Sequence, residues 1–299
     1  MTDISFKHKV EFYAMRLLAK LIRSLPREQA LKLGGRLGII SGMLLKKRRR
    51  LAEENLRRAF PEWSSLKVRA TCWANFQHIG ICGAEMLRLD MWRSGSSDLE
   101  TYFEMVDQHY LREALKLGRG AIVLTGHVGF WEGGFFAMPE TGIKFHAVTK
   151  PLKNPLSDSF FCKLRQAFGV RTIDSRKGAR RILKALQGGS AVAILLDQHI
   201  SPPGSVPTDF FGRQAYTTTA ITNLAMKYRV PVVPTFCHRL PDNRYKIWSE
   251  PMFFLEGEGE HAIKENTQVL TDIIASVVRR DPSQWFWMHK RWRVPDQEN

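Results

Sequence analysis

The chain has 299 residues, 44% of them hydrophobic, with a formal net charge of +16 and a pI near 9.9. That is enough apolar sequence for a folded core, and the charge favours an anionic partner, either nucleic acid or an anionic membrane surface. Cys72, Cys82, Cys162 and Cys237 show neither CxxC spacing nor a dense framework, which excludes a disulfide scaffold and a zinc signature; no metal and no resident cofactor are expected.

From the N-terminus, Phe6, Val10, Tyr13, Ala14, Leu17, Leu18, Leu21, Ile22 and Leu25 fall at helical spacing, with Lys9, Arg16, Lys20 and Arg23 opposite. An apolar face with a basic back is the pattern of a helix lying in a membrane interface, and equally of a surface helix docked on a core. A second helix over about 27–45 carries Gly34, Gly35 and Gly38 and runs into Lys46-Lys47-Arg48-Arg49-Arg50. Residues 1–50 are therefore expected to form a membrane-associating helical segment and 51–299 the main domain. The longest uncharged runs, near 37–45 and 121–131, are too short to span a bilayer, and no signal peptide is legible.

Residues 51–92 read as helical with a break at Pro61 and a core stripe of Cys72, Phe76, Ile79 and Gly83; 93–98 is a loop, 99–106 a short strand and 109–117 a helix closed by Gly118. Ala121-Ile122-Val123-Leu124 is a strand buried on both faces, and Thr125-Gly126 end it just before His127. Strands over 145–149, 170–173, 191–196 and 230–236 alternate with helices over 157–168, 178–186 and 217–228, with a Pro/Gly-rich loop at 201–213 and a late helix at 261–280. The alternation predicts an α/β fold: a central mostly parallel or mixed sheet flanked by helices, preceded by the N-terminal helical region. The tail, Trp285 to Arg293, interleaves aromatic and basic residues, as lipid headgroups or single-stranded nucleic acid require, or as buried tryptophans with basic residues outside.

Open α/β sheets place ligands at the carboxyl ends of their strands, which singles out His127 and, after the second buried strand, Asp197-Gln198-His199. Glu132 lies five positions beyond His127, about 140° round a regular helix, so the two meet only if the chain is irregular between them; Gly126 and Gly129 allow that. His127 would then be a general base with Glu132 on its other ring nitrogen. Such a His-x4-acid match arises about once by chance in a chain of this composition, so the surrounding motifs carry the argument.

Those motifs are GHVGFWEGG, KPLKNP, LLDQH, DFFGRQAYTTTA with VPVVP, and WFWMHKRW, in this order. Together, over about 30–293, they resemble the lipid A late acyltransferases, the lauroyl and myristoyl transferases of the lysophospholipid acyltransferase superfamily. The resemblance implies transfer of an acyl chain from an acyl-carrier-protein or CoA thioester to a hydroxyl of a lipid A precursor or related glycolipid, at the cytoplasmic face of a bacterial inner membrane. It makes His127 and Glu132 catalytic. It puts Gly126, Lys150, Asn154, Arg165, Asp197 and Gln198 at the substrates, with Arg165 meeting the acyl carbonyl or a phosphate. Lys150 stands where family members often have arginine, and the N-terminal segment is amphipathic where many have a hydrophobic anchor. A lysophospholipid or aminolipid acceptor is the alternative. Without a G-x-S-x-G elbow or a cysteine beside His127, direct transfer is expected, with donors from the helix N-terminus after Gly129 facing the oxyanion. A nucleic-acid binder is set aside, since it gives polar residues at two buried strand ends no purpose, and a metal hydrolase on His127, Glu132, Asp197 and His199 matches no zinc spacing.

Overall fold

The structure, a computed structural model, describes residues 4–92 and 97–293. Four helices open the chain: α1 (Phe6–Ser24), α2 (Arg27–Leu44), α3 (Lys46–Ala59) and α4 (Ser65–Arg88). Ser5 and Ser64 cap α1 and α4, accepting from the N–H groups of His8 and Lys67. The glycines of the second helix form a stripe buried against α4, extended by Gly42. α2 lies along α4 at backbone contact: a Cβ at Gly38 would sit 2.1 Å from the Phe76 carbonyl oxygen, and one at Gly80 2.2 Å from that of Gly34.

A seven-stranded sheet follows. Its strands are β1 (Phe103–Val106), β2 (Ala121–Thr125), β3 (Phe145–Thr149), β4 (Arg171–Asp174), β5 (Ala191–Leu195), β8 (Val232–Arg239) and β9 (Tyr245–Ser249), with β6 (Ser205–Asp209) and β7 (Gln214–Thr218) forming a separate hairpin. Spatial order is β1-β9-β8-β2-β5-β3-β4; the last five are mutually parallel, and β9 with β1 runs antiparallel to them. The sheet is thus mixed, and helices cover both faces.

β2 at the centre is buried along its whole length. Ile122 and Leu124 face one core with α9 (Gly178–Gln187), α10 (Ala220–Tyr228), α11 (Gly259–Arg280) and the Trp285–Trp292 segment, while Ala121 and Val123 face another with α6 (His109–Lys116) and α7 (Trp131–Ala137). A strand between two dry layers has no polar face to show, which is why it reads as an unbroken apolar run.

Where the elements differ from expectation, the causes are local. Residues 99–102 belong to the helix α5 (Ser97–Tyr102), and only 103–106 are strand; residues 93–96 of the expected loop lie outside the described residues. The expected loop at 201–213 and the start of the following helix pair instead as the β6–β7 hairpin, Ser205 opposite Thr218 and Asp209 opposite Gln214, so α10 begins at Ala220. Proline and glycine in that stretch signal turns and mask the short strands between them. β9 had no counterpart in the sequence reading, although its residues alternate buried and half-buried as period two demands.

Candidate active site

The two candidate strand ends meet through strand register. β2 and β5 are parallel neighbours with Ala121 opposite Ala191 and Thr125 opposite Leu195. The ladder continues one step, Leu196 N–H to the Thr125 carbonyl at 3.2 Å. Two residues beyond the strands, the same offset sets His127 against Asp197. The chain leaves β2 for α7 on one face of the sheet and leaves β5 for the hairpin and α10 on the other, which opens a crevice between the two carboxyl ends.

Asp197 is the acid that holds His127. His127 Nδ1 lies 2.8 Å from Asp197 Oδ1, and the His127 backbone N–H donates to Oδ2 at 3.0 Å. The Trp285 indole N–H donates to the same Oδ2 at 2.7 Å. Burial alone would push the Asp197 carboxyl up, but the His127 ring, its backbone N–H and the Trp285 donor hold it down at about 2. An ionised Asp197 accepts from Nδ1–H, which leaves Nε2 as the basic nitrogen. Nε2 faces the Gln198 amide nitrogen at 3.2 Å. Trp131 meets the ring edge-on and Phe286 packs beside it.

The turn carrying His127 is held on every side. Gly129 has φ +61, and a Cβ there would lie 1.8 Å from the Cys237 carbonyl oxygen, so no other residue fits. Gly129 N–H donates to the Gln284 carbonyl at 2.9 Å, Phe130 N–H to that of Cys237 at 3.0 Å, and Phe286 N–H to that of His127 at 3.0 Å. The Gly129 carbonyl in turn accepts from the buried His78 Nε2 at 3.2 Å, while Arg239 Nε donates to His78 Nδ1 at 3.3 Å. Burial, with Arg239 nearby, pushes His78 down to about 3 and keeps it neutral, as one donor and one acceptor nitrogen require. The N–H groups of Gly129 and Phe130 are therefore spent inside the protein and do not face an oxyanion.

The expected His127–Glu132 contact is replaced by another. Glu132 stands in the first turn of α7 and takes Arg165 of α8 (Pro155–Ala167) in a bidentate pair, Nε to Oε2 at 3.0 Å and a terminal nitrogen to Oε1 at 2.5 Å. Arg165 thus reaches the site with its charge already matched, and burial of its guanidinium is offset by Glu132, which holds it above its ordinary value. The irregular turn brings His127 toward β5 instead of back over α7, because Gly129 is fastened to β8 and to the C-terminal segment.

Of the remaining expected residues, Gly126 belongs here: a Cβ would come 3.3 Å from Asp197 Cγ and 3.1 Å from Ile274. Lys150 is exposed just beyond β3. Asn154 serves the fold. It caps α8, its oxygen accepting from Leu156 and Ser157 N–H, and its nitrogen donates to the His8 carbonyl and to Glu11 of α1. The Trp285–Trp292 tail is core and not surface: Trp285, Trp287 and Arg291 are buried, and Arg291 donates to the Tyr216 carbonyl at 2.8 Å and Thr217 Oγ1 at 2.6 Å. Trp285 and His78 are the site residues that sequence reasoning missed. Among the described residues, no three His, Cys, Asp or Glu side chains converge as a metal ion would require. Under α7 the core keeps only a small cavity of about 20 Å³, room for about one water, lined by residues that include Val123, Thr125, Trp131, Phe135 and Thr235.

A basic imidazole nitrogen held by a buried carboxylate at the carboxyl end of a sheet can take the proton of an attacking hydroxyl, as transfer of an acyl group requires. Comparison with known proteins decides the family, since the sequence profile of the bacterial lipid A biosynthesis acyltransferases matches residues 2–294. The chain belongs to that family. It is 27% identical over 279 residues to the lipid A biosynthesis lauroyltransferase of Escherichia coli, covering 92% of this chain and 88% of the relative. It is 26% identical over 268 residues to the palmitoleoyltransferase of the same organism, covering 88% and 84%. A phosphatidylinositol mannoside acyltransferase of Mycolicibacterium smegmatis is 22% identical over 194 residues, covering 63% and 62%. The protein is an acyltransferase of the lipid A biosynthesis family.

Proposed function

We propose that the protein moves a fatty acyl chain from an acyl-carrier-protein or CoA thioester to a hydroxyl of a lipid A precursor or related glycolipid, with His127 as general base. The observation that carries this reading is the Asp197–His127 hydrogen bond at 2.8 Å, which leaves Nε2 basic at the mouth of the crevice. The acceptor hydroxyl takes the place now held by the Gln198 amide and gives its proton to Nε2 as its oxygen attacks the thioester carbonyl. Asp197 stabilises the imidazolium. As the tetrahedral intermediate collapses, the C–S bond breaks and the imidazolium returns the proton to the leaving thiolate. Among the described residues the partner of Nε2 is the Gln198 amide and not a hydroxyl or thiol, which supports direct transfer without an acyl-enzyme.

Glu132 and Arg165 act as one unit that ties α7 to α8 beside the site, so Glu132 is a positioning residue in this mechanism and not the partner of the base. The surplus of basic residues suits both an acidic carrier protein and a phosphorylated acceptor. No helix among the described residues is long and apolar enough to cross a membrane. The exposed Phe6, Val10, Tyr13, Leu17 and Leu21 on one side of α1 support peripheral attachment through residues 1–50 to the anionic cytoplasmic face of the inner membrane.

The test is incubation of the purified protein with carrier-protein and CoA thioesters and a panel of lipid A precursors, lysophospholipids and mannosylated phospholipids, read by lipid mass spectrometry. Acylation of a lipid A precursor, abolished in folded His127→Ala, is expected. Transfer confined to a lysophospholipid would replace the acceptor, and near-normal turnover by His127→Ala would overturn the mechanism.

A further inference from the structure

A second apolar surface stands apart from α1, at the corner where α2 turns into α3. The turn is made at Leu45, whose ψ of 56° leaves the helical range between the two helices. It pushes Met43, Leu44 and Leu45 outward, with Ile40 one turn below. Leu44 is 76% exposed, close to the 82% of Phe6 on α1, although neither residue needs exposure for any contact in the fold. Lys46, Lys47 and Arg50 follow immediately and are exposed. Glu53 and Glu54, the acids of α3, are engaged by Arg49, Arg57 and Arg58, and among the described residues none engages Lys46, Lys47 or Arg50.

The corner is fastened to the same edge of the molecule as the site. Arg48 donates to the Met288 carbonyl at 3.2 Å, and Asn55 donates to the carbonyls of Trp287 and His289 at 2.8 Å each. That segment is hydrogen-bonded to the His127 carbonyl through Phe286 N–H. The N-terminal half of α1 is fastened to the same edge from the other side, through Asn154, just beyond the carboxyl end of β3. Two apolar surfaces, one carrying a ring of unmatched cations, therefore flank the crevice that holds His127.

We propose that the α2–α3 corner is a second membrane-contact site, inserting Met43, Leu44 and Leu45 among the acyl chains of an anionic bilayer while Lys46, Lys47 and Arg50 meet its phosphates. With α1 on the opposite flank, it turns the active-site crevice toward the lipid surface. Apolar tips rimmed by lysine and arginine match the layered chemistry of a bilayer interface, hydrocarbon below and phosphate above. An acidic protein would use the cations and leave the leucines in water. The inference rests on the membrane attachment proposed above and adds a site and an orientation to it.

The full-length protein is mixed with vesicles of phosphatidylcholine with and without phosphatidylglycerol, and binding is read by flotation. Leu44→Glu/Leu45→Glu replaces two exposed side chains, so circular dichroism should be unchanged, and its affinity for anionic vesicles should fall at least about tenfold. Lys46→Glu/Lys47→Glu should lose a similar factor and flatten the salt dependence. Phe6→Glu/Leu17→Glu, on α1, reports the other surface independently. Wild-type affinity in both corner variants, with weakened binding only in the α1 variant, would overturn the corner and leave attachment through α1 standing. Absence of vesicle binding by the wild-type protein would overturn both. Corner variants that bind vesicles normally and lose only a complex with acidic carrier protein would show the corner to be a protein dock, against the proposal.

Discussion

The two nitrogens of His127 have different tasks, and Asp197 assigns them. With Oδ1 on Nδ1 and Oδ2 shared by the His127 backbone N–H and the Trp285 indole, the carboxylate fixes ring orientation and tautomer together. His127→Ala should lower turnover by about 10²–10⁴-fold. Asp197→Asn should be comparably severe, and His127→Ala/Asp197→Asn scarcely worse than either, because residues acting as one unit are not additive. Glu132→Gln and Arg165→Gln should each cost less than Asp197→Asn and be non-additive with one another. Steady-state kinetics on folded variants checks this; a Glu132→Gln loss matching that of His127→Ala, with Asp197→Asn near normal, would restore Glu132 as the partner. Trp285→Phe keeps the aromatic bulk and removes one donor to a charged acceptor, a loss of about 1.5–3 kcal/mol. The depressed Asp197 contributes stability that is present above the ordinary carboxylate pKa and is lost as pH falls toward about 2. Without the indole donor that contribution shrinks, so acid unfolding of Trp285→Phe should begin at higher pH than in the wild type.

At the scale of elements, the contact between α2 and α4 shows how backbone proximity decides the sign of a substitution. Gly38→Ala would drive a methyl group to 2.1 Å from the Phe76 carbonyl oxygen, which neither helix can relieve by turning a side chain. It should destabilise by about 1–3 kcal/mol or more. Gly83 lies on the same helix α4 with nothing within 4 Å of an added Cβ, and Gly83→Ala should stabilise by about 0.5–1 kcal/mol through helix propensity alone. Urea denaturation of the two variants checks the opposite signs.

For the molecule as a whole, the buried histidines govern acid stability. Burial pushes His78 to about 3, His238 to about 4 and His289 to about 4, all below the ordinary value of 6.5. The unfolded chain therefore takes up protons first. Stability should be full above about pH 6.5 and fall as pH drops below it, with His78 alone contributing a slope of about 1.4 kcal/mol per pH unit until its own folded value is reached. Urea midpoints between pH 7 and 4.5 check this; a flat profile over that range would mean that the three rings take up protons in the native state as readily as in the unfolded chain.

The sequence by itself determined the alternation of strands and helices, the two strands buried on both faces, and the polar residues at their carboxyl ends, because periodicity and burial are local properties of a chain. It also carried enough ordered motifs to place the chain in its family. Only the tertiary structure decided which acid holds His127. Glu132 is five residues from His127 and Asp197 is seventy, yet the parallel register of β2 and β5 puts Asp197 opposite the ring and leaves Glu132 to Arg165. The same held for the C-terminal aromatics, where the sequence left open an interface or tryptophans packed beneath basic residues; packing put Trp285 against Asp197 and, beyond either reading, buried Arg291 against the hairpin. Register and packing relate residues far apart in the chain, and no pattern of neighbours encodes them.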